Sequence, residues 1–298
     1  MERLKKIDIH SHAVRVPALP MKEGYTWALP EEIIAIHKAV GIEYGVLLPL
    51  VNPEGNLGYA SNEEILEVIS QHPGHFVMFC NIDPRIYDNR EGNDFEYIVS
   101  YYKSLGARGV GEISANMYFD DPRVFALFRA CEKLDMPVTF HIGDTSGDAG
   151  LIDELGLPLL EKALASFPRL KFLGHSQRFW SHISADVTSD TMRFNNPGKI
   201  APGGRVIELM RKYPNLCGDL SAYSGYNALT RDPEFAYMFM EEFSDRLYYG
   251  TDVALSHHAR ADMLKLAEFL DSAMENGKIS YETYAKISRE NALKLLGK

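Results

Sequence analysis

The sequence predicts a single-domain (β/α)8 barrel, the TIM-barrel architecture, over residues 1–298. Three observations predict it. Eight short apolar runs alternate with longer amphipathic segments, the pattern of parallel strands covered by helices. A chain of 298 residues suits one barrel of about 250 residues with insertions. No Pro-, Ser- or Gly-rich linker divides it, and no Gly-x-Gly-x-x-Gly turn follows an early strand, which counts against an open doubly wound sheet.

The first strand holds Ile7-Asp8-Ile9-His10-Ser11-His12, and alternation along a strand puts His10 and His12 on one face. The following strands are Tyr44–Leu50, Phe76–Ile82, Ala107–Ile113, Pro137–Ile142, Lys171–His175, Leu216–Leu220 and Leu247–Thr251. Between the first two, Pro30 and Gly41 bracket a helix over Pro30–Val40. Ser61 and Glu64 form a capping box ahead of a helical stripe of Ile65, Leu66, Val68 and Ile69. Asp121-Pro122 opens a helix with Phe125, Phe128 and Cys131 on one side, and Leu155, Leu159, Ala163 and Phe167 stripe the next. These stripes read as core.

The formal net charge is −10, with no Lys/Arg block, so nucleic acid is not expected as a partner, although local basic residues could hold a small anion. Cys80, Cys131 and Cys217 follow no Cys-x-x-Cys pattern and read as buried small hydrophobes. No apolar run is long enough to span a bilayer and no leader is evident, so a cytoplasmic protein is expected. Nothing in the sequence fixes the oligomeric state, and a homo-oligomer is compatible with it.

In a barrel the chemistry sits at the carboxyl ends of the strands. Strand four ends at Glu112, strand five at His141, strand six at His175 and strand eight at Asp252. A lone His or Asp there has an ordinary structural explanation. Together with His10 and His12, these residues predict a shared metal cluster at the barrel mouth, since imidazole and carboxylate are ligands for zinc and similar divalent ions. The other histidines read differently. His37 lies on a helical pattern and His72 and His75 flank Pro73-Gly74, so these are expected to be structural or exposed, while His257 and His258 lie too far past Asp252 to be assigned a role.

This set of ligands, with His-x-His on strand one, resembles the metal site of the amidohydrolase superfamily. The stretch Ile7–His12 and the C-terminal Glu290-Asn291-Ala292-Leu293-Lys294-Leu295-Leu296-Gly297 resemble the ends of its amidohydrolase-2 branch, which includes aminocarboxymuconate-semialdehyde decarboxylase and related aromatic-acid decarboxylases. Many binuclear members carry a carboxylated Lys on strand four, whereas this chain has Glu112, in a setting that resembles the TatD-type nucleases. The whole-chain resemblance implies one ion, with Glu112 hydrogen-bonded beside it; the six candidate side chains would also suffice for two.

The ligand types and the resemblance imply a hydrolase in which a divalent metal, Zn2+ or else Mn2+ or another ion, activates water against an amide, ester or lactone. Asp252 would ligate and accept the water proton, and His175 would stabilise charge or donate a proton. Nonoxidative decarboxylation of an unsaturated or aromatic acid is the nearest alternative, a TatD-like phosphodiesterase the third, and a metal-binding protein without turnover the non-enzyme reading. The substrate is expected to be a small, carboxylate-bearing molecule. The stretch 176–203 reads as a long loop in which Arg178 could clamp a carboxylate, with Trp27 and Tyr223 as candidate pocket walls beside Tyr25 and Tyr226.

Overall fold

Each predicted apolar run forms a strand in the computed structural model, which describes residues 2–55, 58–86 and 94–298. Strand β1 (Lys6–Ser11) pairs in parallel with β2 (Ile42–Leu47), and β2 with β3 (Phe76–Met78). A second parallel series runs through β4 (Val110–Ile113), β5 (Val138–Gly143), β6 (Phe172–His175), β7 (Leu216–Asp219) and β8 (Leu247–Tyr248). Two seams close the ring. At one, Cys80 bridges Val110. At the other, Ile9 N donates to Tyr249 O at 3.1 Å and His12 N to Val253 O at 2.8 Å. The result is a (β/α)8 barrel, with the two-residue strand Leu151–Ile152 added beside the end of β5.

Side-chain alternation divides the core. Ile7, Ile9, Val46, Leu48, Phe79, Leu173, Cys217 and Tyr248 fill the interior, which Ala292 and Leu296 of the last helix plug from below. Leu47, Met78, Val110, Phe140, Phe172 and Leu216 face the helices instead. Burial of the cysteines pushes the Cys80 thiol up to about 12 and Cys217 up to about 11, in keeping with their role as hydrophobes.

The helices begin where their caps say. Helix α1 (Pro30–Val40) ends at Gly41 in the left-handed region, φ 78°. Ser61 accepts from Glu64 N at the start of α2 (Asn62–Gln71), and Glu64 answers Ser61 N at 2.9 Å. Helix α3 (Phe95–Ser104) is capped by Asp94, and α4 (Pro122–Lys133) by Asp121. Among the described residues no helix is long and apolar enough to cross a membrane.

Two segments differ from the sequence reading. Leu155 lies outside α5 (Pro158–Ser166) and is 47% exposed. The buried Asp153 accepts from Leu159 N and Leu160 N, which delays the helix start and makes Leu160, Ala163 and Leu164 its core face. The expected long loop begins instead with a short helix, α6 (Gln177–Ser181), whose Phe179 and Trp180 are buried, followed by buried Ile183. Five residues are too few to display a helical stripe. Strand glycines make the room: a Cβ on Gly174 would lie 2.3 Å from the Phe179 ring, and one on Gly218 2.8 Å from Trp180.

If this segment is core, Trp180→Ala should destabilise the fold by about 3–5 kcal/mol, the usual cost of emptying a large aromatic site. Urea denaturation measures it. A loss below about 1 kcal/mol would return the segment to the surface class.

Candidate metal centre

Five strand ends deliver six side chains to one point at the mouth. His10 and His12 come from β1, Glu112 from β4, His141 from β5, His175 from β6, and Asp252 from the turn after β8. The chain bends sharply after each of the last three strands: Ser176, Ala222 and Asp252, within four residues of a strand end, have φ of 96°, 61° and 56°. Non-glycine residues in that region cost about 1–3 kcal/mol and gather at functional sites.

The ligand atoms face each other at short range. His12 Nε2 is 3.5 Å from Glu112 Oε2 and 3.4 Å from Asp252 Oδ1. His10 Nε2 is 3.7 Å from each of the same two oxygens. His175 Nε2 lies 3.6 Å from Glu112 Oε1 and 3.8 Å from Asp252 Oδ2, and His141 Nδ1 is 2.8 Å from Glu112 Oε1. A tetrahedral cation with bonds of about 2.0–2.2 Å sets its ligand atoms about 3.3–3.6 Å apart. The spacing suits such an ion.

Hydrogen bonding on the far side of each ring fixes what it offers the centre. His12 Nδ1 is 2.8 Å from the Leu48 carbonyl, which can only accept, so that nitrogen carries the proton. His10 Nδ1 is 2.6 Å from the buried Asp219. Neutral His10 and His12 therefore both present bare lone pairs from Nε2 atoms only 3.0 Å apart. Such a pair repels unless a proton or a cation lies beside it. His175 Nδ1 is 3.0 Å from Ser221 Oγ, which orients the third ring.

The protonation pattern expresses the same demand for positive charge. Burial works against ionising Glu112, yet His141, His10 and His12 hold its carboxyl well below the usual range. Desolvation likewise works against ionising the partly exposed Asp252, but its bond to His12 chiefly brings it down to about 2. Burial would lower His12, but Asp252 and Glu112 raise it to about 9. Burial and the neighbouring His10 lower His175.

The structure thus brings together all six sequence-predicted metal residues. Arg178 is buried instead, its Nη2 bonded to Asp144 and, at 3.0 Å, to Asp148 on the loop after β5. Trp27 is buried and its backbone bridges Leu255, joining the loops after β1 and β8. Tyr223 is half exposed beside Tyr226 and two residues beyond Ser221, and Tyr25 stacks on His257 at 3.9 Å. Sequence reasoning missed Asp219 and Ser221. Their position at the end of strand seven was the available signal, the same one that found the ligands.

Comparison with known proteins places the chain in a family. The amidohydrolase family model matches residues 7–298, and the chain belongs to that family of enzymes. No curated protein matches it. Among solved structures it is similar to an uncharacterized TIM-barrel protein from Bordetella bronchiseptica, at TM-score 0.65 and 18% identity over 99% of this chain and 100% of that one. It is also similar to a Pseudomonas putida protein provisionally assigned as 2-pyrone-4,6-dicarboxylic acid hydrolase, at TM-score 0.63 and 15% identity over 99% and 98% of the two chains. A third is a 5-carboxyvanillate decarboxylase from Novosphingobium aromaticivorans with bound manganese, at TM-score 0.57 and 15% identity over 99% and 97%. At these identities the likeness is one of fold.

Metal uptake should be tied to proton release. With His12 raised to about 9, the metal-free site holds a proton at pH 7 that a cation must expel. Affinity should therefore rise with pH and level off above about 9. Calorimetry at pH 7 in buffers of differing ionisation enthalpy should register at least one proton released, and none would contradict this charge state.

Proposed function

We propose that this enzyme is a hydrolase in which Glu112, with the histidines on either side of it, would hold two divalent cations, and that it cleaves an amide, ester or lactone bond in a small carboxylate-bearing substrate. The observation that carries the reading is the division of labour within one carboxylate. Glu112 Oε2 faces His10 and His12, while Oε1 faces His141 and His175. Of three groups of candidate ligands among the described residues, His10–His12–Glu112 and Glu112–His141–His175 share only that side chain, while the third, His10–His175–Asp219, draws on both. Asp252 adds Oδ1 to the first group and turns Oδ2 toward His175. The imidazole-rich donor set suits zinc, and its carboxylates also admit manganese.

Bound there, the ions would supply the charge that polarises a substrate oxygen and makes water acidic near neutral pH. The protein's own part falls chiefly to Asp252. Its side chain is the most open of the carboxylates at the centre, 25% exposed against 8% for Glu112 and none for Asp219. Ionised at neutral pH, it accepts a proton from attacking water and passes it to the leaving group on the open side. Asp219, Ser221 and the Leu48 carbonyl keep the three rings turned inward while this happens. With a single cation instead, His175 would be free to stabilise charge on the substrate. Arg178 would recognise the substrate carboxylate in exchange for Asp148, its more exposed partner, with Trp27 and Tyr223 as pocket walls.

Titration of metal-free protein should saturate at two equivalents, and Glu112→Gln should lose one of them. Saturation of the wild type at one equivalent would remove the bridge.

Asp252→Asn should largely keep its metal, because the amide still offers an oxygen, while turnover falls by about 10²–10⁴-fold. The assay is a panel of carboxylate-bearing lactones, esters and amides in oxygen-18 water, with label expected in the product. Carbon dioxide release without label would make the enzyme a decarboxylase, and near wild-type turnover in Asp252→Asn would remove it as the base.

A further inference from the structure

Strand β1 does something that alternation alone does not provide. Ile7 and Ile9 point into the barrel with Leu173, Cys217 and Tyr248, so strict alternation would turn His10 outward. His10 points inward as well. The register against β2 shows how: Asp8 lies opposite Gly45 and Ser11 opposite Leu47, so β1 carries one extra residue there. That is a β-bulge, a device that re-aims a side chain and interrupts the ladder.

An interrupted ladder leaves backbone donors to be satisfied. On the β8 side, Ile9 N still bonds Tyr249 O, but the next ladder bond runs from Asp252 N to His10 O at 2.7 Å, and Thr251 N is passed over. The carboxylate of Asp8 accepts what the bulge frees. Its Oδ1 takes His10 N at 3.0 Å and Thr251 N at 2.8 Å; its Oδ2 takes the hydroxyls of Ser11 and Thr251. One side chain thereby fastens the backbone just before His10 to the residue just before Asp252.

The charge of Asp8 is held from outside the barrel. His37, on α1, lies with Nε2 3.0 Å from Asp8 Oδ2, and its Nδ1 is 3.2 Å from His75 Nε2. The ring reaches across the outside of β2 at Gly45, where a Cβ would lie 2.5 Å from His37 Cε1. Glycine is needed at that point for the imidazole to pass.

We infer that Asp8, held by His37, is a positioning residue for the metal centre: it fixes the bulge that turns His10 inward and sets the first-strand ligands against Asp252. Asp8 touches neither the ligand atoms of the centre nor the open mouth. This inference rests on the metal-binding reading above. It predicts that disturbing Asp8 or its support changes how the site holds a cation while every ligand remains present.

The test uses cobalt(II) added to metal-free protein, because its visible bands report ligand geometry without any assay of activity. Asp8→Asn should weaken cobalt binding about 10–100-fold and alter the bands. Gly45→Ala, which displaces the His37 ring and leaves Asp8 itself intact, should do the same to a smaller degree. Circular dichroism shows whether each variant folds; if Asp8→Asn does not, Gly45→Ala decides. Affinity and spectrum equal to wild type in the folded variants, even with lowered thermal stability, would reduce Asp8 to a structural role and overturn the inference. Wild-type protein that binds no cobalt would instead refute the metal reading itself.

Discussion

The constraint on which this structure turns is charge compensation at the barrel mouth. Glu112, Asp219 and Asp252 meet within a few ångströms, and every ion pair they make among the described residues is with a histidine. A buried charge stripped of its partner costs about 3–5 kcal/mol, so three carboxylates cannot share this space without positive charge. Protons on His10 and His12 provide it in the metal-free protein. A divalent cation provides it as well and accepts the two lone pairs that neutral rings would otherwise turn toward each other at 3.0 Å. The same cluster is thus poorly suited to stability for its own sake and well suited to an ion.

The scaffold holds this arrangement through contacts remote from the ligand atoms. Asn81 donates to the Glu112 carbonyl at 2.7 Å and to the Pro49 carbonyl at 2.8 Å, tying the ends of β2 and β4. Arg85 joins Asp83 and Glu54, while Asn52 accepts from Ser114 N, so the loops after β2, β3 and β4 form one polar network. On the opposite side, Trp180 donates to the Asp219 carbonyl at 2.8 Å and keeps the orienting carboxylate under His10. The Glu112 strand end and the Asp219 carboxylate are therefore each fixed by a neighbour from a different strand or loop. The barrel supplies rigidity, and the short loop contacts supply aim.

Much of this was legible in the sequence. Capping residues such as Ser61, Asp121 and Gly41 placed helix ends because their chemistry is local, and strand-end ligands were legible because a barrel gathers its strand ends. The bulge at Asp8 was not legible, since a single extra residue in β1 leaves the His-x-His spacing unchanged and shows only as a register shift against β2. Trp180 was read as loop because α6 is too short for periodicity, and its burial depends on glycines 174 and 218 from two other strands. Leu155 was placed on the α5 stripe because the cap at Asp153 works through its side chain, several residues ahead of the helix. Asp219 shared the signal of the ligands, but its partner His10 lies 209 positions away.

If Glu112 divides this charged mouth, two cations would sit on its two sides. Anomalous diffraction from crystals grown with zinc, recorded on both sides of the zinc absorption edge, tests it most directly. Two peaks should flank Glu112, one against His10 and His12 and the other against His141 and His175. A single peak at full occupancy, with Glu112 turned away from it, would contradict the account.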